Sequence, residues 1–138
     1  MALEQVCQAE IESLHRFFVE WYTGECDDGA FEAFETALAP SFRMVHPDGE
    51  EYHRDAIVNA IARAHQTHET ADFQIDIEGV ELLHDLGDHA VVRYEEWQTL
   101  EGARTGRLST VVFEVTGGNG GPLRWLDVHE TWIDPPTG

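Results

Sequence analysis

The sequence predicts an α+β domain in which a curved antiparallel sheet packs on three N-terminal helices. Two observations carry this. Apolar residues recur at three- and four-residue steps through most of the first 65 positions, and at every second residue after position 71. Clusters containing Gly, Pro, Asp and Asn then punctuate the second half at intervals that suit a meander of long strands. At 138 residues and 42% hydrophobic content, the chain is long enough to bury its own core.

The first helix is expected over residues 3–24, with Leu3, Val6, Cys7, Leu14, Phe17, Phe18, Trp21 and Tyr22 on its apolar side and Gly24 as its stop. Asp27-Asp28-Gly29 opens a second helix that presents Phe31, Phe34 and Leu38, and Pro40 ends it. A short strand, Phe42 to His46, runs into the turn Pro47-Asp48-Gly49. The third helix is expected from about Arg54 to His65, with Ile57, Ala60, Ile61 and Ala64 on one face. Four strands follow: Phe73 to Leu83, His89 to Thr99, Thr105 to Thr116 and Leu123 to Ile133. Residues 1–134 read as one domain. Pro135-Pro136 opens a tail over 135–138.

Charge narrows the partners. There are 27 Asp plus Glu against eight Arg, no Lys, and a net charge of −19. Such a surface repels nucleic acid phosphates and anionic lipid, so neither is an expected partner. It suits a halophilic, high-salt cytoplasm, where ions screen self-repulsion, and equally an acidic protein from an Arg-biased, GC-rich genome. No apolar run approaches the roughly 18 residues of a membrane-spanning helix. Glu4, Glu10 and Glu12 stand where a signal peptide would be basic and then apolar, so a cytoplasmic location is expected. Cys7 and Cys26, about 28 Å apart along a helix, are too distant for a disulfide.

The element order, the strand Phe42 to Val45 ending in His46-Pro47-Asp48-Gly49, Ala90-Val91-Val92-Arg93 after Gly87-Asp88, and Trp125 followed by Val128-His129 carry a resemblance. Together they resemble the nuclear transport factor 2-like (SnoaL-like) superfamily. More narrowly, they resemble small proteins related to the calcium/calmodulin-dependent kinase II association domain. The resemblance covers almost the whole chain. It implies a cone-shaped, cystatin-like fold with a pocket between sheet and helices at its mouth. Because members include isomerases, dehydratases, cyclases and pure binding or assembly domains, fold leaves function open.

Strand alternation offers two sets of site residues. In one, Arg93, Arg107, Asp127 and His129 share a face. Arg93, between Val92 and Tyr94, needs a carboxylate partner or an anionic ligand. The resemblance to association-domain pocket arginines implies a small anion there. His129, oriented by Asp127, has the chemistry of a general acid or base. In the other set, Tyr94, Glu96, Glu130 and Trp132 share a face, with Tyr94 as donor and Glu96 as base. The resemblance favours the first set. Candidate catalytic residues are therefore His129, Asp127 and Glu96. Candidate ligand-binding residues are Arg93, Arg107, His46, Tyr94 and Trp97.

No metal site is expected, because His65-Gln66-Thr67-His68-Glu69 lacks the His-Glu-x-x-His order. No cofactor is expected either, since Gly117 to Gly121 reads as a hairpin connection rather than a phosphate loop. The functional expectation is a pocket protein for a small organic ligand, an anion being the form that Arg93 suits. The alternative is a cofactor-independent SnoaL-like enzyme performing acid/base chemistry. A homodimer is expected, because a sheet apolar on both faces needs cover.

Overall fold

A computed structural model describes residues 2–68, 72–117 and 122–137. These form helices α1 (Leu3–Thr23), α2 (Asp28–Ala37) and α3 (Arg54–Arg63), and strands β1 (Leu38–Val45), β2 (Glu51–His53), β3 (Phe73–Asp85), β4 (His89–Leu100), β5 (Ala103–Val115) and β6 (Leu123–Asp134). The strands make one curved sheet in the order β2-β1-β6-β5-β4-β3. Its pairings are antiparallel except for β1 beside β6, which is parallel. The sheet is therefore mixed: α3 carries the chain from β2 at one edge to β3 at the other, and the meander β3 to β6 returns to place β6 parallel to β1.

Two boundaries differ from the sequence reading. The first strand starts at Leu38, so Pro40 lies within β1 rather than ending α2. The turn at Pro47-Asp48-Gly49 is followed by a three-residue strand, β2, too short to show alternation. Most of the glycine-rich connection, from Gly118 to Gly121, lies outside the described residues.

Local chemistry explains the helices. The Asp27 side chain accepts from the amides of Gly29 and Ala30 and caps α2. α1 buries Cys7, Ile11, Leu14, His15 and Trp21 at three- and four-residue steps against the sheet. Phe34 of α2 stacks on Phe17, with ring centres 5.2 Å apart. Inward positions of the strands complete the core with Ala90, Val92, Tyr94, Val111, Phe113, Trp125 and Val128.

Two features set which strand residues face inward. Between β4 and β5, Glu101 and Gly102 both take left-handed backbone conformations, with φ of 52° and 82°. This two-residue turn locks Leu100 opposite Ala103, so Glu96 falls opposite Arg107 and Tyr94 opposite Ser109. In β6 a bulge at Leu126 interrupts the ladder, since Trp125 pairs with Phe113 while Asp127 pairs with Val112. The extra residue shifts the phase of the strand. Trp125, Val128 and Glu130 are all buried, whereas Asp127 is half-buried and His129 exposed.

Candidate functional site

The inward face of the sheet and the three helices enclose a cavity of about 330 Å³. Its outer wall is apolar: Leu14 and Phe18 from α1, Phe34 from α2, Leu38, Phe42 and Met44 from β1, Ile57 and Ile61 from α3, and Ile75 from β3. Its floor is polar, formed by His15, Tyr94, Glu96, Gln98, Arg107 and Glu130. Few convergent polar groups at one end of an apolar cleft are the usual composition of a small-molecule site. A broader groove beside β1, lined by Arg43, His53, Arg54, Asp55 and Asp127, is open to solvent. Its Arg43 is already satisfied, since Nε donates to Asp127 at 3.0 Å.

His15 and Glu96 form the first half of the floor. The His15 Nε2–H donates to Glu96 Oε1 at 3.0 Å, and Nδ1–H donates to the Ile11 carbonyl at 2.7 Å. Both partners only accept, so this geometry suits a doubly protonated imidazolium. Burial alone would lower the His15 pKa, but the charge and hydrogen bond of Glu96 more than offset it and the net shift is upward. Burial pushes Glu96 the other way, yet His15, Arg107 and the amide of Gln98 hold its carboxyl well below the usual range. The rings of Phe18, Tyr94 and Trp125 surround the imidazole edge-on.

Arg107 and Glu130 form the second half. Arg107 Nη1 donates to Glu130 Oε1 at 3.2 Å, and the Ser109 hydroxyl donates to Oε2 at 3.0 Å. The guanidinium carbon lies 5.0 Å from the Trp132 ring centre. Its Nε is buried and has no hydrogen-bond partner among the described residues. Burial and the neighbouring Glu96 charge raise the Glu130 pKa, against the opposing pull of Arg107 and Ser109. Burial, followed by the two carboxylates, pushes the Tyr94 phenol well above its ordinary value. The floor thus holds two acids driven in opposite directions, the arrangement found where acid and base roles divide.

The structure brings Tyr94, Glu96 and Arg107 together in this cavity and sets His46 at its mouth, where its ring meets Trp132 edge-on at 6.0 Å. The expected partnership of Arg107 with Arg93, Asp127 and His129 does not form. The tight β4–β5 turn puts Arg107 beside Glu96, and the Leu126 bulge turns Asp127 and His129 outward. Arg93 is exposed on the opposite face, 3.9 Å from Glu81. Trp97 lies on that outer face too, donating to Glu95 at 3.0 Å beneath the Arg104 guanidinium. His65 stacks on Trp21 and His68 packs on Tyr22 and Phe73.

The sequence reading missed His15, Gln98 and Ser109. His15 had a findable signal: Ile11, Leu14, His15, Phe18 and Tyr22 form one helical stripe, which places an ionisable ring squarely among core residues. Glu130 belongs to the strand face with Tyr94 and Glu96, the set that the resemblance does not favour.

The curved sheet, the three helices over its inner face and the cavity between them define an NTF2-like α+β protein. A family model, sucrose-6-phosphate phosphohydrolase C-terminal, matches residues 7–134, and the chain belongs to that family. Among curated proteins, sucrose-phosphatase 1 of Nicotiana tabacum is 26% identical over 129 residues, which is 90% of this chain but 30% of that enzyme. An NTF2-like protein of unknown function from Pseudomonas aeruginosa is 29% identical with a TM-score of 0.85, covering 93% of this chain and 98% of the other. A Caulobacter vibrioides protein with a cystatin-like fold is 20% identical with a TM-score of 0.66, over 95% and 89% of the two chains. A candidate calcium/calmodulin-dependent kinase II association domain from Exiguobacterium sibiricum is 14% identical with a TM-score of 0.63, over 98% and 96%. Among the described residues, no helix is long and apolar enough to cross a membrane.

Proposed function

We propose that the cavity binds a small organic molecule with an apolar body and an anionic head, the head meeting Arg107. The observation that carries this is the buried Nε of Arg107, without a partner among the described residues at the polar end of an otherwise apolar cleft. A guanidinium already bound to Glu130 through one nitrogen keeps donors for a carboxylate, and its planar fork suits that geometry. Tyr94, Gln98 and His46 would orient the ligand, while Phe18, Phe42, Ile57 and Ile61 would hold its body. The match over residues 7–134 supports one domain over 1–134 with a tail at 135–138. The outer sheet face, carrying Arg93, Trp97, Leu108, Val112 and His129, would be covered by a second copy.

A thermal-shift screen of small carboxylates tests the reading. Hexanoate should raise the melting temperature and its neutral isostere hexanamide should not. An Arg107→Lys variant keeps the charge near Glu130 but lacks the fork, and should bind hexanoate at least tenfold more weakly. Equal affinity for acid and amide would refute the anionic head.

A second reading is acid/base catalysis, favoured by Glu96 and Glu130 with their pKa values displaced in opposite senses. Glu130, rather than His129, would then move the proton. Loss of turnover in Glu130→Gln with hexanoate binding retained would separate catalysis from binding.

A further inference from the structure

The floor of the cavity is balanced in charge. Glu96 faces His15, and Glu130 faces Arg107, so two carboxylates meet two cations in a space largely withdrawn from water. A carboxylate ligand arriving at Arg107 would make three anions against two cations. A net buried charge is strongly unfavourable in such a site. We propose that this pocket takes up one proton for each carboxylate it binds, and that Glu130 is the group that receives it. The inference rests on the carboxylate-binding reading given above.

Every element around Glu130 points to the same acceptor. From α1 come His15, whose two ring nitrogens both already donate, and Tyr22, whose phenol burial pushes up to about 12 so that it stays protonated. From β4 come Tyr94 and Glu96, and Glu96 is anchored by His15 and by Gln98 at 2.5 Å. From β5 come Arg107 and Ser109, the two donors to Glu130 itself. His46, beyond the end of β1, reaches the mouth, while the α2 and α3 linings are Phe34, Ile57 and Ile61. Glu130 is thus the acid whose cation the ligand would claim. Once protonated, its hydroxyl becomes a donor and can face the incoming carboxylate. The proton comes from solvent and no bond to carbon changes, so the step balances as ligand anion plus one proton.

Isothermal titration of hexanoate at pH 8, run in phosphate and in Tris buffer, tests this directly. The two heats should differ by the difference between the ionisation heats of the two buffers, multiplied by close to one proton taken up. Affinity should fall about tenfold per pH unit between pH 7 and 9, where the ligand's own carboxyl stays ionised. In Glu130→Gln the floor starts one negative charge short, so uptake should drop to near zero and affinity should no longer vary with pH. Binding without proton uptake, or equal uptake in the wild type and Glu130→Gln, would overturn the inference while leaving the binding pocket standing. Absence of hexanoate binding to either protein at any pH would overturn the pocket reading and this inference with it.

Discussion

Replacing His15 with leucine should unsettle the protein more than most core substitutions of similar size. The side chains of His15 and Glu96 are 5% and 6% exposed, and their contact is 3.0 Å. Leucine fills much of the ring's volume but leaves a buried carboxylate that has lost its nearest cation and one of its donors. Glu96 would keep Gln98 and the attraction of Arg107. Breaking one side of a buried ion pair commonly costs about 3–5 kcal/mol, and this geometry falls in that range. Removing the stranded charge as well, in His15→Leu/Glu96→Gln, should restore about 2 kcal/mol or more.

Urea denaturation followed by tryptophan fluorescence measures both. The pH dependence supplies a further check with a definite sign. The raised His15 pKa gives stability that is fully present below its unfolded value near 6.5 and is lost as pH rises through the folded value. The depressed Glu96 pKa gives stability present above its unfolded value and lost as pH falls through about 2. The gap between the wild type and His15→Leu should therefore be widest from about pH 4.5 to 6.5 and should narrow in alkali. A single-variant cost below about 1 kcal/mol, or a double variant no more stable than the single, would refute a buried charged pair.

Gly106→Ala drives a methyl group into the Trp97 ring, which covers Gly106, and should cost about 1–3 kcal/mol with an altered Trp emission spectrum. Trp125→Ala empties a site that is 2% exposed between Phe113 and α1, and a loss of about 3–5 kcal/mol in urea melts is expected. Raising KCl from 0.1 to 2 M should increase the melting temperature, because a net charge of −19 repels itself until screened. Sedimentation should find a dimer, and Val112→Arg, which puts a charge in the middle of the outer sheet face, should give monomers.

Much of the architecture was legible because it rests on periodicity. The stripe from Leu3 to Tyr22 and the alternation after Phe73 are local signals, and the described residues follow them closely. β2 escaped because three residues carry no period, and the parallel β1–β6 contact escaped because pairing between distant segments leaves no local trace. The site was legible in part. Glu101-Gly102 is a recognisable tight turn, and counting back from it already places Glu96 opposite Arg107. The phase change in β6 was not readable, since Leu126 is as suited to a regular strand as to a bulge. The NTF2-like fold was legible in the element order and in the segments Phe42 to Gly49 and Trp125 to His129, whereas the narrower family rests on the match over residues 7–134 rather than on any local motif.

The extra residue in β6 also bears on how this chain should be compared with its relatives. A homologue that lacked the equivalent of Leu126 would carry the same letters around it, yet would turn a tryptophan outward or a histidine inward. Column-by-column comparison across that point would then equate a cavity residue with one on the far side of the sheet. Conserved positions in the last strand should be counted from its C-terminal end, from Trp132 backwards, where the pairing with β5 is regular as far as Asp127.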